Sequence, residues 1–469
     1  MPEFPSQTIA EWTAGEWSST PASGSIRGFC HDTRQLQPGD CFVALKTAQR
    51  DGHDFLGQAK RAGAAAAIVS EVRSDVSLPQ LRTVDPLLAF QTIALQHRHT
   101  FPGKVVGITG SCGKTSTKDL TAHLLGERCL KTQKNLNNTL GVPLTITQLD
   151  PVAHDFGVIE AGINQPGEMS ALGGMIAPDI AVVTMIGDAH LEKLGSIENI
   201  AREKAELVRL AAPGSTLVCG ANCLQFDAFR HFAGEIFAVC LACEKTPALD
   251  YTEYRSCCRY YRDDDGSTRV QVYSPVVAGQ FVIRASVTAG MVTNAVIAAI
   301  TAVLCGAKWS TIQERMNDWK PAADRGATYR HEDNYYYVDC YNANPASMID
   351  ALKTFQTIAP PELPKTFVLG GMKELGDASD SLHEKVGAHL ILDRDDRAVL
   401  VGEEAKAYEE GLRKGGAIAE QITWVEDASE ALATVQDRSG AVFVKGSRAY
   451  ALEQVLPHGL LGAKEVATC

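Results

Sequence analysis

Positive charge is in short supply. The 469 residues hold 44 Lys and Arg against 56 Asp and Glu, a net charge of −12 with His neutral. So acidic a balance disfavours general binding to nucleic acid or to anionic membranes, and leaves room only for local anion pockets. Internal repeats and low-complexity tracts are missing, so domain boundaries have to come from changes of pattern. The first residues, MPEFPSQTIAEW, lack the basic start and long apolar core of a secretory signal, so a cytoplasmic protein is expected. A charge-free stretch of membrane-spanning length runs from Ala285 to Ala307. It holds Thr288, Thr293, Asn294 and Thr301, which suits a helix buried inside a soluble domain better than a span through lipid.

Cysteine, by contrast, is plentiful. Thirteen of them, an odd number, without a secretory start are read as reduced thiols. Cys240 and Cys243, in C-x-x-C spacing, followed by Cys257 and Cys258 could supply four thiolates to zinc. Adjacent cysteines are poor spacing for such a site, and the plainer reading is free thiols in a charged hairpin region.

At about 150 residues per domain the length corresponds to roughly three domains. Near residue 100 a helical stretch, Leu87 to His99, gives way to FPGK and the apolar strand Val105 to Thr109. Near 320, KPAADRG is a breaker-rich connection. The chain is therefore read as three α/β domains, 1–102, 103–320 and 321–469. In the first, FCHDTRQLQPGDCFVAL reads as two short strands about a Pro-Gly turn, followed by a helix and a strand in DGHDFLGQAKRAGAAAAIVS. In the second, apolar runs at 104–109, 156–160 and 180–186 each lead into a loop and a helix, the pattern of a parallel sheet with functional loops at the strand C-termini. The third repeats the theme at Tyr335 to Asp339, Thr366 to Gly370, Ala398 to Gly402 and Ala441 to Lys445, a Rossmann-like sheet.

The sharpest local feature is KVVGITGSCGKTSTKDLTAHLL, Lys104 to Leu125: a strand, a loop with Gly110 and Gly113, and Lys114-Thr115 opening a helix. Glycines let backbone N–H groups close around phosphate oxygens, the helix N-terminus adds positive potential, Lys114 reaches the β and γ phosphates, and Thr115 offers a hydroxyl to Mg²⁺. The strict pattern has glycine where this chain has Ile108, so the loop is a variant nucleoside triphosphate site. Lys-Thr directly after the last glycine is foreign to the dinucleotide fingerprint, which disfavours that reading. Phosphoryl chemistry also asks for an acidic metal ligand at the end of a neighbouring strand, and Glu160 ends the run Phe156 to Ile159. His190, in MIGDAHLEKLGS, sits just beyond a third apolar strand and is a further candidate ligand.

Taken together these residues resemble the ATP-dependent Mur ligase family, most closely its MurF type, over nearly the whole length. HDTRQLQPGDCFVAL and DGHDF are similar to the family's D-S-R…P-G-D-x-F-x-A-L and D-G-H-x-F signatures, with Thr33 in place of serine. TGSCGKTSTK, TQKNLNNTLGVPL, VIEAGINQPGEM, AHLEKLGSIENIAREKAEL and Asn294 match in order and spacing, although Gly290 and Met291 stand where the family has His-Asn. VDCYNANPASM is similar to D-D-x-Y-N-A-N-P, with Val338 replacing the first acid and Cys340 at the variable position. GGMKELGD, His383 and VKGSRAYALE complete the likeness, through Met372, Glu374, Leu375, Gly376, Lys445, Gly446, Ser447 and Arg448.

The resemblance implies three roles for three domains: binding a UDP-sugar-peptide, binding ATP, and closing on ATP and the amine substrate. It implies Thr33, Arg34, Asn137 and Asn138 as substrate-binding residues. Gly110, Ser111, Cys112, Gly113, Lys114, Thr115, Ser116, Asn294, Arg325, Asp339, Tyr341 and Asn342 are the ATP-binding set. Thr115, Glu160 and His190 are the magnesium ligands, and Lys114, Glu160, His190 and Lys204 the catalytic set, Lys204 being the lysine that becomes a carbamate in this family. The reaction implied adds D-alanyl-D-alanine to UDP-N-acetylmuramoyl-tripeptide through an acyl phosphate, with ATP and Mg²⁺, in a monomer that neither enters membranes nor binds nucleic acid. Cys112 in the loop is either a thiol open to reagents or a small residue tolerated there. Three rivals stay open: a superfamily ligase with another amine or adding glutamates to folate, a nucleotide-gated scaffold, and a P-loop kinase or GTPase, for which no N-K-x-D motif is present.

Overall fold

The computed structural model describes residues 2–22, 24–242, 255–437 and 439–461. Their strands form three larger sheets in chain order, each faced by helices, as in a three-domain α/β protein. The first has the strand order Glu16–Trp17, Gln80–Arg82, Ala66–Val69, Asp40–Val43, Gly28–Cys30. The expected turn between Cys30 and Asp40 is not a hairpin. Gly28 lies opposite Asp40 and Cys30 opposite Phe42 in a parallel pair, because the chain loops back through TRQLQPG before re-entering the sheet in the same direction.

The central sheet runs Val277–Ile283, Thr268–Ser274, Arg255–Arg262, Glu235–Leu241, Thr216–Gly220, Ile180–Val183, Lys104–Thr109, Phe156–Glu160, Cys129–Lys131. All of its pairings are parallel except those made by Thr268–Ser274, which form antiparallel hairpins. Strands covered on both faces read as unbroken apolar runs, and the phosphate strand obeys this. Val106 and Ile108 enter a core with the helices Lys114–Leu125 and Ala289–Leu304, while Val105 enters the opposite core with Glu168–Ile176 and Ile197–Arg209. Each such side chain, fully buried, contributes about 1.5–3 kcal/mol. The charge-free stretch is therefore an internal helix: Val292, Ala295, Val296, Ala299 and Ile300 are buried in it. Among the described residues no helix is long and apolar enough to cross a membrane.

The third sheet runs Ala327–His331, Asn334–Asp339, Ala441–Lys445, Lys365–Gly370, Arg397–Val401, Ile422–Val425, parallel apart from the first hairpin. Cys257 and Cys258 lie in the hairpin Arg255–Arg262/Thr268–Ser274, with Cys240 opposite Cys257, while Cys243 falls outside the described residues. Among the described residues no group of three or more His, Cys, Asp and Glu could hold a metal.

Candidate active site

Sheet order builds the site. The phosphate strand lies between Phe156–Glu160 and Ile180–Val183, so the loops after all three meet at one edge. The loop itself admits glycine alone at two points. Gly110 has φ +149, and a Cβ there would sit 1.9 Å from Thr184 Oγ1; Gly113 has φ +83, and a Cβ there would sit 2.4 Å from Asn294 Nδ2. Thr184 donates to the Thr109 carbonyl at 3.3 Å and also to that of Cys112. Ser111 Oγ donates to the Gly187 carbonyl at 2.9 Å and accepts from the Gly187 N–H at 3.0 Å. These bonds tie the loop to the segment leading to His190. Lys114 Nζ donates to the Gly110 carbonyl at 2.8 Å, a neutral partner.

Glu160 is buried at the end of its strand. Its Oε1 accepts from Thr115 Oγ1 at 3.2 Å and from Asn137 Nδ2 at 2.8 Å, and its backbone N–H donates to Thr132 Oγ1 at 2.9 Å. Oε2 has no hydrogen-bond partner and faces the buried ammonium of Lys118 at 3.9 Å. A hydroxyl beside a carboxylate with an orphaned buried oxygen is a hard-oxygen donor set that fits Mg²⁺.

Lys204 occupies the buried stripe of Ile197–Arg209 with Ile200, Ala201, Ala205, Leu207 and Val208, the four-residue spacing of one helix face. Its Nζ is enclosed without a hydrogen-bond partner. Burial, and then the neighbouring charge of Lys114, hold its pKa well below the usual lysine value. Both effects disfavour the charged form of this amine.

The C-terminal domain presents a second set. Asp339 ends its strand in register with Lys445, whose Nζ donates to Asp339 Oδ2 at 2.6 Å and to the Asn342 carbonyl at 3.1 Å. The Arg325 guanidinium lies 3.8 Å over the Tyr341 ring. Two bonds carry this domain onto the phosphate loop and the helix behind it. Asn344 Nδ2 donates to the Ser111 carbonyl at 3.4 Å, and the Gly290 N–H donates to Asp350 Oδ2 at 2.8 Å. The His190 Nδ1 lies against the Glu374 carboxylate, which comes from the same C-terminal domain. That contact holds the Glu374 carboxyl below the usual glutamate range.

Of the residues expected from the sequence, the structure joins Thr115 and Asn137 on the Glu160 carboxylate, with Lys114 on the adjoining loop at the Gly110 carbonyl and Asn294 against Gly113. No hydrogen bond or ion pair among the described residues links His190 to Thr115 or Glu160. Asn138 instead turns the chain, its Oδ1 accepting from Leu140 at 3.1 Å and Gly141 at 2.8 Å. Thr33 and Arg34 stay within the N-terminal domain, on Gln58 at 3.2 Å and Asp32 at 2.6 Å. Burial pushes the Cys112 thiol up, so its thiolate is scarce at neutral pH. Lys118, Thr132, Thr184, Asn344 and Asp350 were not foreseen. Lys118 had a local signal in its place one helical turn beyond Lys114, and Asn344 and Thr132 lie in the quoted stretches VDCYNANPASM and TQKNLNNTLGVPL.

Three family models match in chain order: the Mur ligase family catalytic domain over residues 25–84, the Mur ligase middle domain over 108–302, and the Mur ligase glutamate ligase domain over 325–448. The UDP-N-acetylmuramoyl-tripeptide--D-alanyl-D-alanine ligase of Escherichia coli (strain K12) is 32% identical, across 91% of this chain and 92% of that protein. The crystal structure of MurF from Acinetobacter baumannii superposes with a TM-score of 0.83 at 27% identity, covering 97% of this chain and 98% of that one. MurF ligase from Thermotoga maritima, solved in complex with ADP, shares the fold with a TM-score of 0.77 at 24% identity, covering 92% and 96%.

Proposed function

The chain belongs to the Mur ligase family, and from that premise we propose that it is the ATP-dependent ligase joining D-alanyl-D-alanine to UDP-N-acetylmuramoyl-tripeptide in peptidoglycan precursor synthesis. The observation that carries this reading is a phosphate loop whose Thr115 hydroxyl meets the Glu160 carboxylate at 3.2 Å, in a chain alignable over 91% of its length with a ligase of that name. ATP places the reaction in the cytoplasm, and the chain acts as a monomer.

A free carboxylate resists attack by an amine, because it is anionic and has no stable leaving group. Attack by the tripeptide carboxylate on the γ-phosphorus of ATP expels ADP and forms an acyl phosphate. The dipeptide amine then adds to the acyl carbon, phosphate leaves, and the nitrogen loses its proton. Lys114 neutralises charge on the transferring group, and the Gly110 to Gly113 loop orients the phosphates. Asn137, bonded to Glu160, borders the acyl phosphate, and Asn138 shapes the turn that carries it. Thr115, Glu160 and His190 would hold magnesium, which would supply Lewis-acid neutralisation of the phosphoryl oxygens. Lys204, whose enclosed Nζ has no hydrogen-bond partner, would in its neutral form add CO₂ and release a proton, and the resulting carbamate would help position that metal. Arg325, Asp339, Tyr341, Asn342 and Asn294 hold the nucleotide from the C-terminal side, and Thr33 and Arg34 take the UDP-sugar.

The test is phosphate release from ATP with UDP-N-acetylmuramoyl-tripeptide present, adding D-Ala-D-Ala or single amino acids in turn and weighing the product. A ligated product only with the dipeptide is expected. A product with another amine moves the substrate, and no release with any amine refutes a ligase.

A further inference from the structure

His190 (φ 59) and Glu374 (φ 66) are both non-glycine residues in the left-handed region, they come from different domains, and their side chains touch. Local strain of this kind persists where surrounding structure over-determines it, and here the surroundings converge on one contact. The Glu192 N–H donates to the Glu374 carbonyl at 3.1 Å, and Gly376 packs so closely that a Cβ there would lie 3.0 Å from Glu192 Cα. Within its own domain the Glu374 loop is pinned just upstream. The Met372 N–H donates to His383 Nε2 at 2.8 Å and the Lys373 N–H to Ser447 Oγ at 3.0 Å. His383 is itself oriented by its Nδ1, which donates to the Ser379 carbonyl at 2.7 Å. The carboxylate is thus delivered to His190 on a pre-set loop, and only when the two domains are docked.

We propose that Glu374 is a positioning residue for the ligase reaction: held against Nδ1 of His190 across the domain boundary, it fixes the imidazole as the tautomer with a free Nε2 lone pair, so the histidine becomes a competent ligand only on docking of the C-terminal domain. A carboxylate behind a ligating histidine orients the ring and raises its basicity, and losing one typically costs 10–100-fold in metal affinity or activity. This inference rests on the reading of His190 as a magnesium ligand.

The experiment uses the full chain and Mn²⁺ as the probe ion. Binding of Mn²⁺ to the complex with a non-hydrolysable ATP analogue is followed by electron paramagnetic resonance, beside kcat, the three KM values and thermal melts, for Glu374→Gly, Glu374→Gln and His190→Ala. Glu374→Gly removes the carboxylate while relieving the left-handed backbone, so it should melt no lower than wild type. It should bind Mn²⁺ about 10–100-fold more weakly and lose kcat by a similar factor, with the KM for ATP within about twofold. Glu374→Gln keeps an acceptor for Nδ1–H and should recover most of the Mn²⁺ affinity. Wild-type Mn²⁺ affinity and kcat in Glu374→Gly, alongside losses of both in His190→Ala, would overturn the role of Glu374 while leaving His190 a ligand. A glutamine variant no better than the glycine one would also overturn it. Wild-type Mn²⁺ affinity in His190→Ala would overturn the ligand reading itself, and the proposal with it.

Discussion

Replacing Lys204 by Met should make the protein more stable and inactive. The Lys204 Nζ is fully enclosed and has no hydrogen-bond partner, on a helix whose Ile200, Ala201, Ala205 and Val208 are buried as well. Leaving such a polar group unsatisfied costs about 1–3 kcal/mol, a cost that methionine, similar in length and volume, does not carry. For a domain of about 200 residues that is a rise of roughly 2–12 °C in the melting transition. The pH dependence gives a second, sharper signature. Burial and the charge of Lys114 put the folded-state pKa well below 10.5. Between that folded value and the unfolded value the unfolded chain holds one more proton, so this residue makes stability rise with pH by about 1.4 kcal/mol per unit until the unfolded pKa is passed. The methionine variant has no such slope. Differential scanning calorimetry from pH 6 to 9, in buffers stripped of CO₂, measures both effects. Bicarbonate should narrow the gap by acting on wild type alone, and should not restore ligase activity to the variant. A methionine variant that melts at or below wild type without CO₂, or keeps the same pH slope, would refute the reasoning, because the amine would then have a compensation the structure does not show.

Lys114→Ala should abolish turnover with little change in melting temperature, since among the described residues its Nζ donates only to the Gly110 carbonyl, at 2.8 Å; normal phosphate release in that variant would remove it from the site. Gly113→Ala forces a side chain into φ +83 and within 2.4 Å of Asn294 Nδ2, so a loss of about 1–2 kcal/mol and a raised KM for ATP are expected, read by urea titration and initial rates. Arg98→Met removes a buried guanidinium that donates to the Ile176 and Ala177 carbonyls and to Asp179 at 2.8 Å, and should destabilise by about 3 kcal/mol; a shift under 1 kcal/mol in urea would show those bonds to be dispensable. Burial lowers the His383 pKa from 6.5, so the folded protein keeps it neutral while the unfolded chain takes up a proton. Its contribution is then present above about pH 6.5 and lost as pH falls below that value, at up to about 1.4 kcal/mol per unit; denaturation midpoints at pH 7.5 and 5.5 in wild type and His383→Gln would expose it as a slope that only wild type has.

Much of the fold was legible because parallel strands buried on both faces have to be apolar throughout. The runs at 104–109 and 156–160 appear as strands with those limits, and 180–186 begins one that ends at Val183. Glu160 was legible for the same reason: an acid that ends such a run stands at the edge where ligands bind. The pairing of Gly28–Cys30 with Asp40–Val43 was not legible. A Pro-Gly turn signals a change of direction but does not say whether the chain turns once or loops right round. The strands Ala327–His331 and Ile422–Val425 also escaped notice. Both are edge strands with partly exposed, polar-interrupted sequences such as ATYRH and ITWV.

The contacts that assemble the site were the least legible part, and sheet order explains why. Glu160 and Thr184 flank the phosphate loop because the strand at 104–109 lies between two strands that follow it in the chain. That order is a property of the whole sheet and of no single segment. Lys118 shows the consequence. Its place on the helix marks it as a neighbour of Lys114 and reads as a solvated lysine, yet the strand packed beneath buries it and sets Glu160 Oε2 3.9 Å away. The same holds between domains, where Asp350 reaches the Gly290 N–H at the start of the helix Ala289–Leu304. A Cβ at Gly290 would lie 2.8 Å from that carboxylate. The glycine that departs from the family's His-Asn pair is therefore what lets the C-terminal domain approach this helix end. A bulkier residue at 290 would have to displace Asp350 before the domains could meet as they do here.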